Sequence, residues 1–177
     1  MPDKDLLLGF KFFSDISPEV LDTMASKCEI LDFKPDAIVF SYEEPAEHFY
    51  GLIDGEVELS LVFTDKVLKT EVEYEEAVHA KIVDQEKQIV VDVVRPGQVF
   101  GWASIAGPAR RTVTAKCTEA SRVFSISAAD LKAMFDADHT LGYLLMKRMS
   151  DIISKRLKNR TDKLIETWVE AFDIGEI

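Results

Sequence analysis

Arg95-Pro-Gly-Gln-Val-Phe-Gly-Trp-Ala-Ser-Ile-Ala-Gly-Pro-Ala-Arg-Arg-Thr-Val-Thr-Ala-Lys-Cys117 is the stretch on which the reading of the chain turns. Upstream of it, Ile89 to Val94 is an almost unbroken β-branched run, which predicts a buried strand, and Pro96-Gly97 supplies the turn that ends it. After Phe100-Gly101, the small residues Ala103-Ser104-Ile105-Ala106 suffice for a short helix. Gly107-Pro108 breaks it, and Arg110-Arg111 leads into a second strand, Thr112 to Lys116. Strand, glycine, short helix, arginine and strand, in that order, form an anion cradle. The N–H groups at a helix start point at an anion, glycine admits backbone close to it, and arginine adds a forked charge.

At these residues the chain resembles the cyclic-nucleotide-binding domain of the catabolite activator protein and protein kinase regulatory subunit families. Their phosphate-binding cassette reads approximately Phe-Gly-Glu-Leu-Ala, a few variable positions, then Pro-Arg-Ala-Ala-Thr-Val. Phe100 and Gly101 match it, Arg111 falls on the phosphate-binding arginine, and Thr114 falls on the cassette threonine. The resemblance implies a phosphate near the backbone of Ala103 and Ser104, the Arg111 guanidinium forked onto its oxygens, and the hydroxyl of Thr112 or Thr114 close by. Two positions depart from the pattern. The family's glutamate, which accepts a hydrogen bond from the ribose 2′-hydroxyl, is Trp102 here, and an indole donates but does not accept. The proline before the arginine is Arg110, so a one-residue slip puts that side chain at the anion instead. Trp102 itself has two readings, a core residue that plugs the pocket or a platform that stacks on a base. The ligand expected is a cyclic nucleotide, cyclic AMP or cyclic GMP, or another small anion, with nucleotide binding weak, altered or absent.

Further motifs extend the resemblance over roughly residues 12 to 157. Phe12-Phe13-Ser14-Asp15-Ile16-Ser17-Pro18-Glu19 looks like the family's opening motif, and Glu44 to Val57, containing His48-Phe49-Tyr50-Gly51-Leu52-Ile53-Asp54-Gly55-Glu56, looks like its Gly-Glu-Val turn. The fold implied is mainly β with flanking helices: an antiparallel β-roll or jelly-roll (double-stranded β-helix), preceded by N-terminal helices and followed by a long C-terminal helix. Residues 1–140 form the binding domain, and 141–177 the helical extension.

Around this frame the periodicities are local. Asp5 to Phe13 predicts a short helix and its exit, and Ser17-Pro18-Glu19 starts a second, with serine as N-cap and proline at the first helical position. Ile30 to Phe33 and Ala37 to Phe40 read as neighbouring strands, and Asp54-Gly55 as a hairpin turn. Residues 64–88 stand where relatives have a short turn and include the acidic run Glu71 to Glu76; their pattern fits either a lengthened hairpin or an inserted helix. From Leu141 a long helix is predicted, with Leu145, Met149, Ile152, Ile153 and Leu157 along one stripe. Charge at Lys158 to Lys163 interrupts that stripe before Leu164, Ile165 and Trp168 resume it.

Composition narrows the function classes. The chain has 177 residues and a formal net charge of −11, which opposes a sequence-independent grip on nucleic acid. The segment after Leu157 is too short for a helix-turn-helix, so a stand-alone sensor that does not itself bind DNA is expected. No apolar run is long enough for a membrane span and the start lacks a basic signal region, which points to the cytoplasm. Cys28 and Cys117 read as small buried hydrophobes, and His48, His79 and His139 are too scattered for a metal site. Neither a nucleophile elbow nor a Walker loop is present, so no enzyme is expected. Two functions remain. One is a regulatory domain whose C-terminal helix responds to a small anionic effector; the other is a ligand-free scaffold that dimerises through that helix. A homodimer through the helix suits both.

Overall fold

Phe49 and Tyr50 are chain neighbours, as are Val123 and Phe124, and the strand pleat sends each pair to opposite faces of one sheet. That sheet therefore has a core on both sides. The computed structural model describes residues 3–74, 77–107 and 109–173. In it β1 (Cys28–Phe33), β3 (His48–Asp54), β6 (Val99–Phe100) and β8 (Ser121–Ser127) make an antiparallel sheet of order β1-β8-β3-β6. A second antiparallel sheet of order β2-β7-β4-β5 contains β2 (Ile38–Phe40), β4 (Val57–Tyr74), β5 (Ala77–Val94) and β7 (Thr114–Cys117). Between the sheets, Tyr50, Leu52 and Val123 meet Phe40, Val57, Leu59, Phe100 and Ala115. On the outer face of the first sheet, Phe49, Phe124 and Ile126 meet apolar residues of the helices. These are α1 (Lys4–Leu8), α2 (Pro18–Ser26), α4 (Ala128–Ala137) and α5 (His139–Asp173), joined by the 3-10 turn Lys11–Phe13. The arrangement is the mainly β roll with N-terminal helices and a long C-terminal helix that the motifs imply.

Several local expectations are corrected by this topology. Asp54-Gly55 is a corner and not a hairpin turn, because β3 and β4 lie in different sheets. The glycine is still required: its φ is +91°, and a Cβ there would sit 2.4 Å from Ser121 Oγ. Likewise β1 and β2 are not neighbours; β1 pairs with β8 and β2 with β7, so the bend at Lys34-Pro35-Asp36 carries the chain from one sheet to the other. The β-branched run at Ile89 to Val94 is no buried strand. It lies in β5 at the sheet edge, where Ile89 is 50% exposed and Val94 fully buried. Ser17 stands at the N-cap of α2 with Pro18 after it but makes no side-chain capping bond, whereas the Ser127 hydroxyl accepts from the Asp130 amide and caps α4.

The segment 64–88 belongs to a lengthened hairpin, since β4 and β5 pair antiparallel from Val57↔Val94 out to Tyr74↔Ala77, with register shifts at Leu59/Ser60 and Val72/Tyr74. Glu75 and Glu76, the end of the acidic run, lie outside the described residues, as do Pro108 and residues 174–177. Helix α5 runs unbroken through Lys158 to Lys163. Its first half belongs to the protomer's own core: Leu141, Leu145 and Met149 are buried there, with Ile152 and Ile153 packed alongside. Leu145 and Met149 are therefore not free to form a dimer seam; apart from Tyr143, the exposed apolar residues of the described helix, Leu157, Leu164, Ile165, Trp168 and Val169, come later.

Both cysteines are buried and free. Burial pushes the Cys28 thiol up to about 12. A thiol whose proton is held more tightly in the folded state stabilises fully below its unfolded value of about 8.5, and that contribution is lost as pH rises towards the folded value. The native protein is expected to resist iodoacetamide at mildly alkaline pH and to react at both cysteines once unfolded, as read by mass spectrometry. Rapid labelling of Cys28 in the native state would contradict its burial.

Candidate functional site

Arginines are seldom buried without a carboxylate, because a desolvated charge costs several kcal/mol. Arg111 is only 3% exposed. Its neighbour Arg110 is exposed, and the reason is a short two-stranded clamp. The Arg111 amide donates to Glu44 O at 2.8 Å, the Glu43 amide to Arg111 O at 3.0 Å, and the Ala46 amide to Ala109 O at 2.8 Å. Extended backbone held this way alternates its side chains, so one arginine points in and the other out. Arg110 caps the clamp from outside, its Nη1 donating to Glu43 O at 2.7 Å.

Inside, the Arg111 guanidinium lies over the Phe40 ring at 4.1 Å and near the Tyr50 ring at 5.5 Å. Its Nη1 donates to Gly101 O at 3.0 Å and its Nη2 to His48 O at 2.7 Å, while Nε is buried without a partner. Among the described residues no carboxylate pairs with it. Neutral backbone carbonyls thus supply its direct acceptors. Burial pushes the guanidinium below its ordinary pKa, an effect that Tyr50, Glu44 and Glu47 only partly offset.

Gly101 makes this geometry possible. It has φ +78°, and a Cβ there would lie 2.9 Å from Arg111 Nη1 and 3.0 Å from the Tyr50 ring. Its carbonyl also receives the Ser104 amide at 3.2 Å and the Ser104 hydroxyl at 2.9 Å. The Ser104 amide at the start of α3 (Ala103–Ala106) is therefore engaged within its own turn. Trp102 precedes α3, packs in part on the outer core, and lines a small cavity with Gly101, Ala103, Arg111 and Thr112. Thr114 is placed differently from Thr112; its hydroxyl accepts the Tyr42 amide at 3.0 Å. Gly101, Trp102, Ala103, Arg111 and Thr112 thus converge on one cavity, with buried Ser104 beside it, while Arg110 lies outside.

Two further residues of the cavity wall escaped the sequence reading. Arg156 and Arg160, on α5, line the cavity with Arg111, whose free volume is about 20 Å³, room for little more than a water. Arg156 Nε pairs with Asp92 at 2.9 Å and Nη2 donates to Val99 O at 3.2 Å. Burial depresses its pKa, Asp92 opposes that, and the neighbouring Arg160 adds to it. The signal was present in the sequence: the inward stripe Leu145, Met149, Ile152 continues at helical spacing to Arg156 and Arg160. Among the described residues no three His, Cys, Asp or Glu side chains form a metal-binding group, and no helix is long and apolar enough to cross a membrane.

Residues 30–138 match the model of the family described as "Cyclic nucleotide-binding domain". Among solved structures, the chain is similar to a protein from Geobacter metallireducens GS-15 described as cyclic nucleotide-binding, with 25% identity, a TM-score of 0.67, and coverage of 89% of this chain and 99% of that one. A cyclic nucleotide-binding domain from Methylobacillus flagellatus KT is similar in fold at 14% identity and TM-score 0.65, over 92% of this chain and 80% of the other. So is the sensor domain of the transcriptional regulator DNR from Pseudomonas aeruginosa, at 21% identity and TM-score 0.59, over 88% and 91%. Comparison with curated proteins gave no match.

Proposed function

The chain belongs to the cyclic nucleotide-binding domain family, whose members are regulatory and not enzymes, and from that premise we propose that it senses a small anionic effector at Arg111 and answers through α5. One observation carries the reading: a buried guanidinium whose acceptors are backbone carbonyls and whose Nε has none. An anion at this place meets a charge already desolvated, beside backbone that Gly101 brings close. Because α5 carries Arg156 and Arg160 onto the cavity wall, an effector larger than a water moves those side chains or the helix that bears them. Residues up to 140 then act as the sensing part and those from 141 as the part that moves, with Leu141, Leu145 and Met149 as its anchor.

Cyclic AMP and cyclic GMP are the first effectors to consider, and Trp102 sets their affinity. With no acceptor for the ribose 2′-hydroxyl, the site forgoes a charge-assisted hydrogen bond of about 1.5–3 kcal/mol, which corresponds to about 10- to 150-fold in affinity. Calorimetric titration of the whole chain with both nucleotides tests this. Weak binding that Trp102→Glu strengthens by about 10-fold or more is expected. No gain in the variant would refute the assigned ribose position.

The exposed apolar residues Leu157, Leu164, Ile165 and Val169 on an unbroken helix support a second element, a homodimer through the distal half of α5. They equally suit the alternative, a scaffold in which the barrel no longer binds a ligand. The scaffold reading gains if titration is silent with every nucleotide while sedimentation still shows a dimer.

A further inference from the structure

Arg111, Arg156 and Arg160 bring three guanidinium groups to the wall of one cavity, in a chain whose formal net charge is −11. No carboxylate belongs to that wall among the described residues; Asp92 approaches Arg156 from the neighbouring groove instead. Each of the three carries a buried nitrogen without a hydrogen-bond partner: Arg111 Nε, Arg156 Nη1 and Arg160 Nε. Buried donors of this kind are satisfied in nearly all proteins; Asp92 Oδ2, buried beside Arg156 Nε at 2.9 Å, answers part of the need at Arg156, and the remaining donors can take acceptors from an anion. Their sources differ as well. Arg111 comes from the clamp below the cavity, whereas Arg156 and Arg160 come from α5, one helical turn apart.

A cyclic nucleotide does not fill this set. Its single phosphodiester charge accounts for Arg111 and leaves Arg156 and Arg160 without an anionic partner. We propose that the site takes a small anion with two phosphate-type groups, one seated on Arg111 and the second held under α5 by Arg156 and Arg160. This rests on the reading of the Arg111 hollow as an anion site and narrows its ligand class. The second group gives α5 a direct part in binding: with a cavity of about 20 Å³, the ligand enters as the Arg156 and Arg160 side chains, or the helix that bears them, move aside and then close on it.

Inorganic pyrophosphate is the minimal probe, titrated calorimetrically into the whole chain beside orthophosphate and cyclic AMP. Pyrophosphate is expected to bind at least about 10-fold more tightly than either. Arg160→Gln and Arg156→Gln should each weaken it by about 10- to 150-fold and weaken cyclic AMP by markedly less. Arg160→Gln is the cleaner variant, because Arg156 also holds Val99 O and Asp92. Lys158→Gln, whose ammonium pairs with Asp162 along the helix, serves as the control and should bind like the wild type. Cyclic AMP binding that depends on Arg111, together with pyrophosphate affinity indifferent to residues 156 and 160, overturns this inference and leaves the sensor reading standing. Pyrophosphate affinity that falls equally in the Lys158 control reduces the effect to general charge attraction and overturns the inference too. Silence with all three probes overturns both.

Discussion

Arg111→Met lowers the affinity for every anion the site takes by about 30-fold to several thousand-fold, the cost of truncating one partner of a buried charge pair at about 2–5 kcal/mol. Its effect on stability separates a functional arginine from a structural one. Were the guanidinium a structural strut, its loss would destabilise by several kcal/mol, as breaking a buried ionic network does. Here, among the described residues, no carboxylate bonds to the charge and its Nε is unpartnered, and Phe40 and Tyr50 already offer an apolar slot. The two hydrogen bonds to Gly101 O and His48 O are set against the desolvation of the cation. A methionine of similar reach fills the slot without that penalty. The variant should unfold in urea within about 1 kcal/mol of the wild type while binding is lost. A loss of several kcal/mol would identify Arg111 as part of the scaffold.

Phe124→Ala carries the largest expected effect on folding, about 3–5 kcal/mol. Phe124 is fully buried on β8, with its ring edge-on to Phe10 at 4.9 Å and tilted against Phe13 at 5.8 Å. It also fills the space over Gly51, where a Cβ would lie 2.0 Å from the ring. Removing it opens a cavity between the central sheet and the N-terminal helices that neither a strand paired on both sides nor the α1 segment can close. In a domain of this size the melting temperature should fall by about 6–20 °C. A shift of a degree or two would show that the helices do not depend on that contact.

How much of this was legible in the sequence depended on the range of the interactions involved. The cassette was legible because its order is local: Gly101, the short helix and the arginines follow one another, and the backbone needs glycine at φ +78°. Which arginine turns inward was not. That is decided by the clamp with residues 43 to 46, which lie some sixty residues earlier in the chain. The same distance misled the reading of Asp54-Gly55, whose local preference for a tight turn is satisfied equally by a corner between sheets. Ile89 to Val94 looked buried because β-branched residues serve an edge strand as well as a central one. The stripe on α5 was correctly periodic, yet periodicity does not say whether an apolar face meets its own core or a second chain. Leu145 and Met149 meet their own core. Arg156 and Arg160 were passed over because charged positions on a long acidic protein's helix are usually solvated.

The most direct test of the account reads Trp102 itself, the indole on the cavity wall, in a Trp168→Phe background that leaves it the sole tryptophan. Its emission is followed while cyclic AMP, cyclic GMP and pyrophosphate are added in turn. A saturable change with at least one of them, abolished by Arg111→Met, is the predicted result. Emission that stays constant with all three, in protein that remains folded, would contradict the claim that the hollow beside Arg111 receives an anion.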